Sequence, residues 1–305
     1  MARRLSLFAV ALAIVAFAVY WWLTMPSTVA AGTLPAHTPD LANGKTVFNA
    51  AGCASCHAVP NQQDRTRLGG GLPLTSPFGT FYAPNISPDP NDGIGQWTEA
   101  QFVKAVVHGV SPDGAHYFPA FPYTSYHGAK IADVRDLFAY IKTLPPVSGK
   151  APDHAVGFPF NIRRNIGIWK LLFMDRQPPV MDAARSPQWN RGAYLVNVLG
   201  HCAECHSPRN MLGGIITAQR FAGGPNPEGK GWVPNITQKN LADWSDKDLA
   251  YFLESGLLPD GDSAGGSMAS VIKNTSQLSA DDRAAMAVYL KSLPAVEGPK
   301  RPQSK

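Results

Sequence analysis

All four cysteines of the chain lie in two copies of one short pattern, CASCH at residues 53–57 and CAECH at residues 202–206. Cys-x-x-Cys-His is the attachment signature of c-type haem. Two thiols bond one haem and the next residue binds its iron, so one helical turn has to hold all three groups. The pattern therefore predicts two covalently bound haem c groups. The attachment residues are Cys53, Cys56, Cys202 and Cys205, and the proximal iron ligands are His57 and His206.

Other uses of these cysteines fit the spacing less well. Four cysteines in an exported protein could form two disulfides. A thioredoxin-like redox pair needs no following histidine, and a zinc site would need the two pairs to converge, with no reason for a histidine after each. Haem attachment accounts for every cysteine and for both histidines.

The chain is also an internal repeat, because three segments of the first half recur in the same order in the second half. They pair APNIS at 83–87 with VPNIT at 233–237, WTEAQFVKAVVHG at 97–109 with WSDKDLAYFLESG at 244–256, and AYIKTLPPV at 139–147 with VYLKSLPAV at 288–296. Each half is therefore expected to be one folding unit with its own haem.

Local signals in each repeat indicate helices. Thr98 and Ser245 stand at the N-cap position, each with a capping partner three residues on, and Gly109 and Gly256 follow as stop signals. The predicted fold class is all-α, with two tandem class I cytochrome c-like domains wrapped around covalently attached haems.

The predicted boundaries follow from the repeat. Residues 1–31 are the N-terminal anchor or signal, 38–148 the first cytochrome c domain, and 149–187 a linker expected to pack between the domains, with a membrane or partner contact as the less favoured alternative. Residues 188–297 are the second domain and 298–305 a tail.

The N-terminus predicts export. Two arginines precede a mainly apolar run from Leu5 to Leu23, close to the roughly 20 residues that span a bilayer. Small residues at Thr28, Ala30 and Ala31 could still serve a signal peptidase. We expect an uncleaved transmembrane helix in the inner membrane rather than a cleaved signal. Either alternative puts the rest of the chain on the periplasmic side.

An electron-transfer haem usually has a second axial ligand, commonly methionine and sometimes histidine. In the second half the candidate is Met268, which is expected in a Gly-rich loop before the last helix. The matching position in the first half is Phe121, and no methionine occurs between Met25 and Met174. The first domain therefore has no methionine of its own to offer.

Several replacements remain open for the first haem. His127 is the first choice, His116 the second and an open iron the third, because both histidines flank Phe121. Lysine, or a linker methionine such as Met174 or Met181, is a further alternative.

The surroundings of the proximal histidines also allow predictions. The carbonyls of Pro84 and Pro234 are expected to accept the outer N–H of His57 and His206. Arg209 could pair with a haem propionate or form a surface ion pair.

The chain resembles the bacterial periplasmic multi-haem cytochrome c family, typified by cytochrome subunits of membrane-associated quinoprotein alcohol and sugar dehydrogenases. The resemblance covers about residues 40–297 and rests on APNISPDPNDGIGQWTEAQF, FPAFPYTSY, GHCAECHSPRN, FAGGP, WVPNIT and GGSMASVIKNTSQLSADD. It implies that Met268 is a haem ligand. Some relatives have a methionine at the Phe121 position and others one shortly after YTSY, but this chain has neither, which favours His127. Family members often carry three haem domains, so a two-haem chain suggests a free-standing or anchored relay.

The predicted function is an electron relay on the periplasmic side of the membrane, within a respiratory chain. Electrons would enter from a periplasmic dehydrogenase and leave to a soluble cytochrome, a quinone or an oxidase. The alternative is a di-haem enzyme that turns over a small molecule at an open first haem. Net charge is only +5, and no cluster of basic residues interleaved with aromatics occurs, so nucleic acid is not an expected partner.

Overall fold

The computed structural model describes residues 2–27, 34–174, 181–229 and 231–301. The candidate cleavage positions Thr28, Ala30 and Ala31 lie outside the described residues. The described chain is mainly helical. Its α-helices are α1 Ala2–Leu23, α2 Leu41–Ala50, α3 Cys53–His57, α4 Glu99–His108, α5 Tyr123–Tyr126, α6 Ile131–Ile141, α7 Ile166–Phe173, α8 Pro187–Tyr194, α9 Ala203–His206, α10 Gln238–Leu241, α11 Asp246–Ser255, α12 Gly266–Thr275 and α13 Ala280–Lys291.

Two small antiparallel sheets modify the all-α expectation. The first contains β1 Pro73–Ser76, β2 Gly79–Tyr82 and β3 Ala155–Val156, in that order. The second pairs β4 Gly224–Pro225 with β5 Trp232–Val233. Because β3 pairs with β2, the start of the predicted linker belongs to the sheet of the first domain. The sequence did not predict these strands, because two to four residues are too few to show an alternation of apolar and polar side chains.

The predicted helix caps are confirmed. Thr98 and Ser245 each form a capping box, in which the side chain accepts the N–H three residues on and that residue's side chain returns the bond. Gly109 and Gly256 end α4 and α11 in the left-handed conformation, with φ of 58° and 77°. A residue with a Cβ pays a steric cost in that conformation, so glycine is the natural stop.

Each domain is built on a close crossing of its first and last helices. α2 packs against α6, and α8 packs against α13. A Cβ at Gly44 would overlap the Asp136 carbonyl, and one at Gly192 would overlap the Ala285 carbonyl. Glycine therefore lets the two backbones touch in both repeats. The buried apolar core runs continuously through both domains.

The linker helix α7 joins the two domains and the N-terminal helix. Lys170 donates to the carbonyls of His108 and Gly109 at the end of α4. On the other side, the Trp169 indole N–H donates to the Leu212 carbonyl in the second domain, at 2.8 Å. The expectation that this segment packs between the domains is therefore confirmed.

Candidate haem-binding sites

The first Cys-x-x-Cys-His motif forms a single helical turn. α3 begins at Cys53 and ends at His57, and it follows Gly52, whose φ is 63°. The His57 Nδ1–H donates to the Pro84 carbonyl at 2.8 Å, as the sequence predicted. Burial lowers the pKa of His57, although this hydrogen bond acts in the opposite direction. The ring is therefore neutral, with the Nε2 lone pair available to iron.

The second motif repeats this geometry. The His206 Nδ1–H donates to the Pro234 carbonyl, also at 2.8 Å, and burial again lowers the pKa of the imidazole. The carbonyl of His206 accepts from the Gly223 N–H, just as that of His57 accepts from Gly70, both at 2.8 Å. Both glycines have φ of 72° and lie directly against the segment that holds the proline. The sequence had predicted no role for Gly70 and Gly223, although each lies in a run of adjacent glycines.

The cysteines are set up for attachment rather than for thiolate chemistry. The four cysteines, all among the described residues, form no disulfide. Burial raises the pKa of Cys53 and Cys202 to about 12, and that of Cys56 and Cys205 to about 11. Reactive redox thiols have a lowered pKa, which is opposite to the shift of these four cysteines. Paired neutral thiols followed by a neutral histidine with a free Nε2 fit covalent haem.

The candidate sixth ligand of the second site lies in a helix rather than in a loop. Met268 stands in the first turn of α12 and is half-buried. The glycines Gly265 and Gly266 before it had predicted a loop at this position. Gly265 is in fact the N-cap residue of α12. Iron ligation by Met268 stays a prediction.

Phe121 occupies the corresponding place in the first site, within an aromatic cluster. Its ring lies 6.0 Å from that of Tyr117, 5.8 Å from that of Tyr126 and 6.2 Å from that of Tyr123. The Tyr126 hydroxyl donates to the Ala51 carbonyl, next to the first attachment turn. A cluster of rings therefore stands where the second domain has a methionine.

The two candidate histidines are both engaged by backbone carbonyls. The Nδ1 of His127 lies 3.1 Å from the Val107 oxygen, and its ring contacts His108. Its Nε2 makes no protein hydrogen bond in the part of the chain that the structure describes. His116 uses Nε2 on the Thr24 carbonyl at 2.9 Å, which argues against iron ligation by that atom. His127 stays a prediction.

The linker methionines Met174 and Met181 are weaker candidates for the sixth ligand of the first haem. Met181 is exposed. Met174 follows Phe173, whose ring packs against Gly214 of the second domain. Neither position supports ligation at the first site.

A buried carboxylate joins the two sites. Glu204, between the cysteines of the second motif, accepts hydrogen bonds from Thr124 and Ser125 of α5 in the first domain, at 2.7 and 3.1 Å. It also pairs with Arg209 at 2.6 Å, while the buried Nε–H of Arg209 has no hydrogen-bond partner in the described part of the chain, so pairing with a propionate stays a prediction. Burial would raise the pKa of Glu204, but the charge of Arg209 and the hydrogen bond from Thr124 hold it below its usual range.

The reciprocal contact is made by the equivalent residue of the first motif. Ser55 donates to the Ser270 carbonyl of α12 at 3.3 Å and accepts from the Asn274 amide at 2.7 Å. Each attachment turn thus contacts a helix at the sixth-ligand position of the other domain: α12 contains Met268, and α5 begins just after Phe121. We call these two contacts the cross-brace. The sequence signal was slight: Glu204 is the only charged residue between paired cysteines.

The cross-brace brings the two motifs close together. The pKa of Cys205 is raised chiefly by burial, but also by Glu228 and by Cys56 of the other motif. His201, directly before Cys202, has a φ of 38° and its Nε2 lies 3.4 Å from the Ala51 oxygen. These contacts leave little protein between the two attachment turns.

The sequence profile of the cytochrome c family matches residues 41–145 and again residues 190–294. The chain belongs to the cytochrome c family. It carries two covalently attached haems, one in each matched segment.

Relatives of this cytochrome fall into two groups. It is 48% identical to a diheme cytochrome c-type protein of Cereibacter sphaeroides, over 97% of this chain and all of that protein. It is 41% identical to the fructose dehydrogenase cytochrome subunit of Gluconobacter japonicus, over 85% of this chain and 54% of that subunit. It is 37% identical to the alcohol dehydrogenase (quinone) cytochrome c subunit of Gluconobacter oxydans, over 86% of this chain and 57% of that subunit. The chain thus spans little more than half of the dehydrogenase subunits.

Proposed function

We propose that this cytochrome relays electrons on the periplasmic side of the inner membrane, from a periplasmic dehydrogenase to a downstream acceptor. The cross-brace carries the proposal. A relay needs two redox groups at a short, fixed separation, and Glu204 and Ser55 tie each attachment turn to the other domain. The dehydrogenase partner is suggested by relatives that are cytochrome subunits of fructose and alcohol dehydrogenases.

Within this proposal the protein positions the haems and sets their potentials. Bound haem supplies one-electron cycling between ferrous and ferric iron. The carbonyls of Pro84 and Pro234 hold the proximal imidazoles in a single tautomer. Met268 would raise the potential of the second site relative to a site with two histidine ligands. With His127 at the first site, electrons would run downhill from the first domain to the second.

Near-infrared magnetic circular dichroism of the oxidised protein, combined with a redox titration, tests this order. We expect one His/Met and one His/His signal, with the His/His site at the lower potential. The His127→Ala variant should lose only the His/His signal. The variant His154→Ala is the control, because His154 is an exposed histidine beside the sheet of the first domain, away from Phe121. A higher potential at the first site would sink the proposed direction.

A second candidate function is small-molecule chemistry at an open first iron. The observation that favours it is the aromatic cluster around Phe121, together with the engagement of His116 by Thr24. In that case the first haem would be high-spin and would bind carbon monoxide when reduced. Two low-spin haems that do not bind carbon monoxide would exclude this function.

We also propose that α1 is retained as a membrane anchor. One helix of the described residues is long and apolar enough to span a bilayer, and it is α1. Thr24 at its end is fully buried and bonds to Arg164 and His116, so cleavage near residue 31 would remove partners that the first domain uses. The intact mass of protein extracted from membranes should include residues 1–31. A mass corresponding to a start after residue 27 would contradict retention.

A further inference from the structure

The segment from Gly157 to Met174 has an unusual composition for a link between two domains. It reads GFPFNIRRNIGIWKLLFM, with three basic residues and no acidic one. Apolar and cationic side chains together are typical of segments that lie in the interface of a bilayer. The packing of α7 between the domains uses only some of these side chains.

The remaining apolar side chains are exposed and form one surface. Phe158 is 81% exposed, Leu172 63% and Leu212 53%, and Phe160 and Ile162 are also exposed. They are connected through contacts, because Phe160 lies 5.0 Å from Phe78 and Gly213 packs against the Phe78 ring. Leu212, next to Gly213, accepts a hydrogen bond at its carbonyl from the Trp169 indole N–H, which connects this region to α7. We call this surface, formed by Phe158, Phe160, Ile162, Leu172 and Leu212, the linker face.

The linker face is continuous with the docking site of α1. The Tyr20 hydroxyl donates to the Asn165 side chain at 2.8 Å, and the Arg164 guanidinium stacks 4.0 Å from the Trp21 ring. A Cβ at Gly167 would lie 2.8 Å from the Cα of Thr24, so α7 and the end of α1 touch directly. Tyr and Trp at the end of a spanning helix lie at headgroup depth. With α1 retained in the bilayer, as proposed above, the start of α7 would lie at the membrane surface.

We propose that the linker face rests on the lipid bilayer. Its apolar side chains enter the interface, while Arg163 and Arg164 lie at the depth of the lipid phosphates. Two observations favour lipid over a partner protein: the face adjoins α1, and the segment 157–174, which provides most of it, has three basic residues and no acidic one. The contact holds the first domain at a fixed orientation to the membrane. The proposal rests on the retention of α1 and not on the direction of electron flow.

Cysteine labelling of the full chain tests the proposal, because all four native cysteines are used for haem attachment. Leu172→Cys and Phe158→Cys are made separately, with Tyr251→Cys and Leu257→Cys of the second domain as matched controls. Tyr251 is 54% exposed and Leu257 43%. Each variant is placed in nanodiscs of phosphatidylcholine with phosphatidylglycerol, one chain per disc, and treated with a charged, membrane-impermeant maleimide. An unchanged haem absorption spectrum verifies that each variant folds.

We expect Leu172→Cys and Phe158→Cys to react about tenfold more slowly than the two controls, because buried interfacial positions exclude a charged reagent. Equal rates at all four positions would overturn the proposal. Equal rates in nanodiscs but slow reaction in native membranes would overturn it in favour of a protein partner, since a nanodisc with one chain contains only lipid as a covering group.

Discussion

At the scale of single residues, Glu204 is the most consequential side chain outside the iron ligands. A buried carboxylate costs free energy unless it is paired and hydrogen-bonded. Glu204 satisfies both conditions, through Arg209 and through two hydroxyl groups of the other domain. The low pKa of Glu204 follows from these contacts, which outweigh the opposing effect of burial.

Replacing Glu204 with alanine is expected to destabilise the protein by about 3 kcal/mol, because Arg209 would be left buried without its partner. Guanidinium unfolding followed by far-ultraviolet circular dichroism measures the change. The control is Glu297→Ala, whose ion pair with Lys239 has both partners exposed and is worth about 1 kcal/mol or less. Equal losses in the two variants would mean that Glu204 adds no more than a surface charge.

At the scale of elements, one carboxylate fastens the start of the first domain to α6. Asp136 accepts from His37 at 2.6 Å, from the Asp40 N–H at 2.9 Å and from Asn43 at 2.8 Å. Burial would raise the pKa of Asp136, but the hydrogen bonds from Asn43 and from the Asp40 backbone lower it overall. His37, which received no role from the sequence, is part of this fastening.

The Asp136→Asn variant should lose about 2 kcal/mol of stability at neutral pH, because Asp136 accepts several hydrogen bonds as an anion. A depressed aspartate pKa stabilises the fold fully above the unfolded value near pH 4, and the contribution disappears as pH falls through the lower folded value. Denaturant unfolding from pH 7 to pH 2 should show the difference between wild type and variant shrinking on acidification. The exposed Asp153→Asn serves as control. A difference that stays constant with pH would refute the electrostatic explanation.

At the scale of the whole molecule, two similar domains make one unit. The attachment turn of the first domain contacts α12, and that of the second domain contacts α5. Neither domain can therefore shift without altering both contacts. The continuous core supports the same conclusion. The separation of the two haems is thus a property of the assembled chain.

Opening one half of the cross-brace should slow electron exchange between the haems. The double variant Thr124→Val, Ser125→Ala removes both hydroxyl donors to Glu204 while changing little volume. After rapid reduction by a light-generated reductant, electron redistribution between the two sites should be slower than in wild type. Thr143→Val, an exposed threonine of the first domain, is the control. Unchanged redistribution in the double variant would show that the cross-brace does not set the haem separation.

The sequence by itself determined the parts of this protein that depend on local chemistry. The Cys-x-x-Cys-His motifs and the capping boxes at Thr98 and Ser245 were readable because they depend on residues at fixed spacing. The proline acceptors of both histidines were readable because Pro84 and Pro234 lie in matching segments of the repeat. Only the tertiary structure decided the cross-brace, the Asp136 cluster and the docking of Thr24. Glu204 meets Thr124 across 80 positions of sequence. Such a pair forms when two domains pack, and no local pattern records which surfaces will meet.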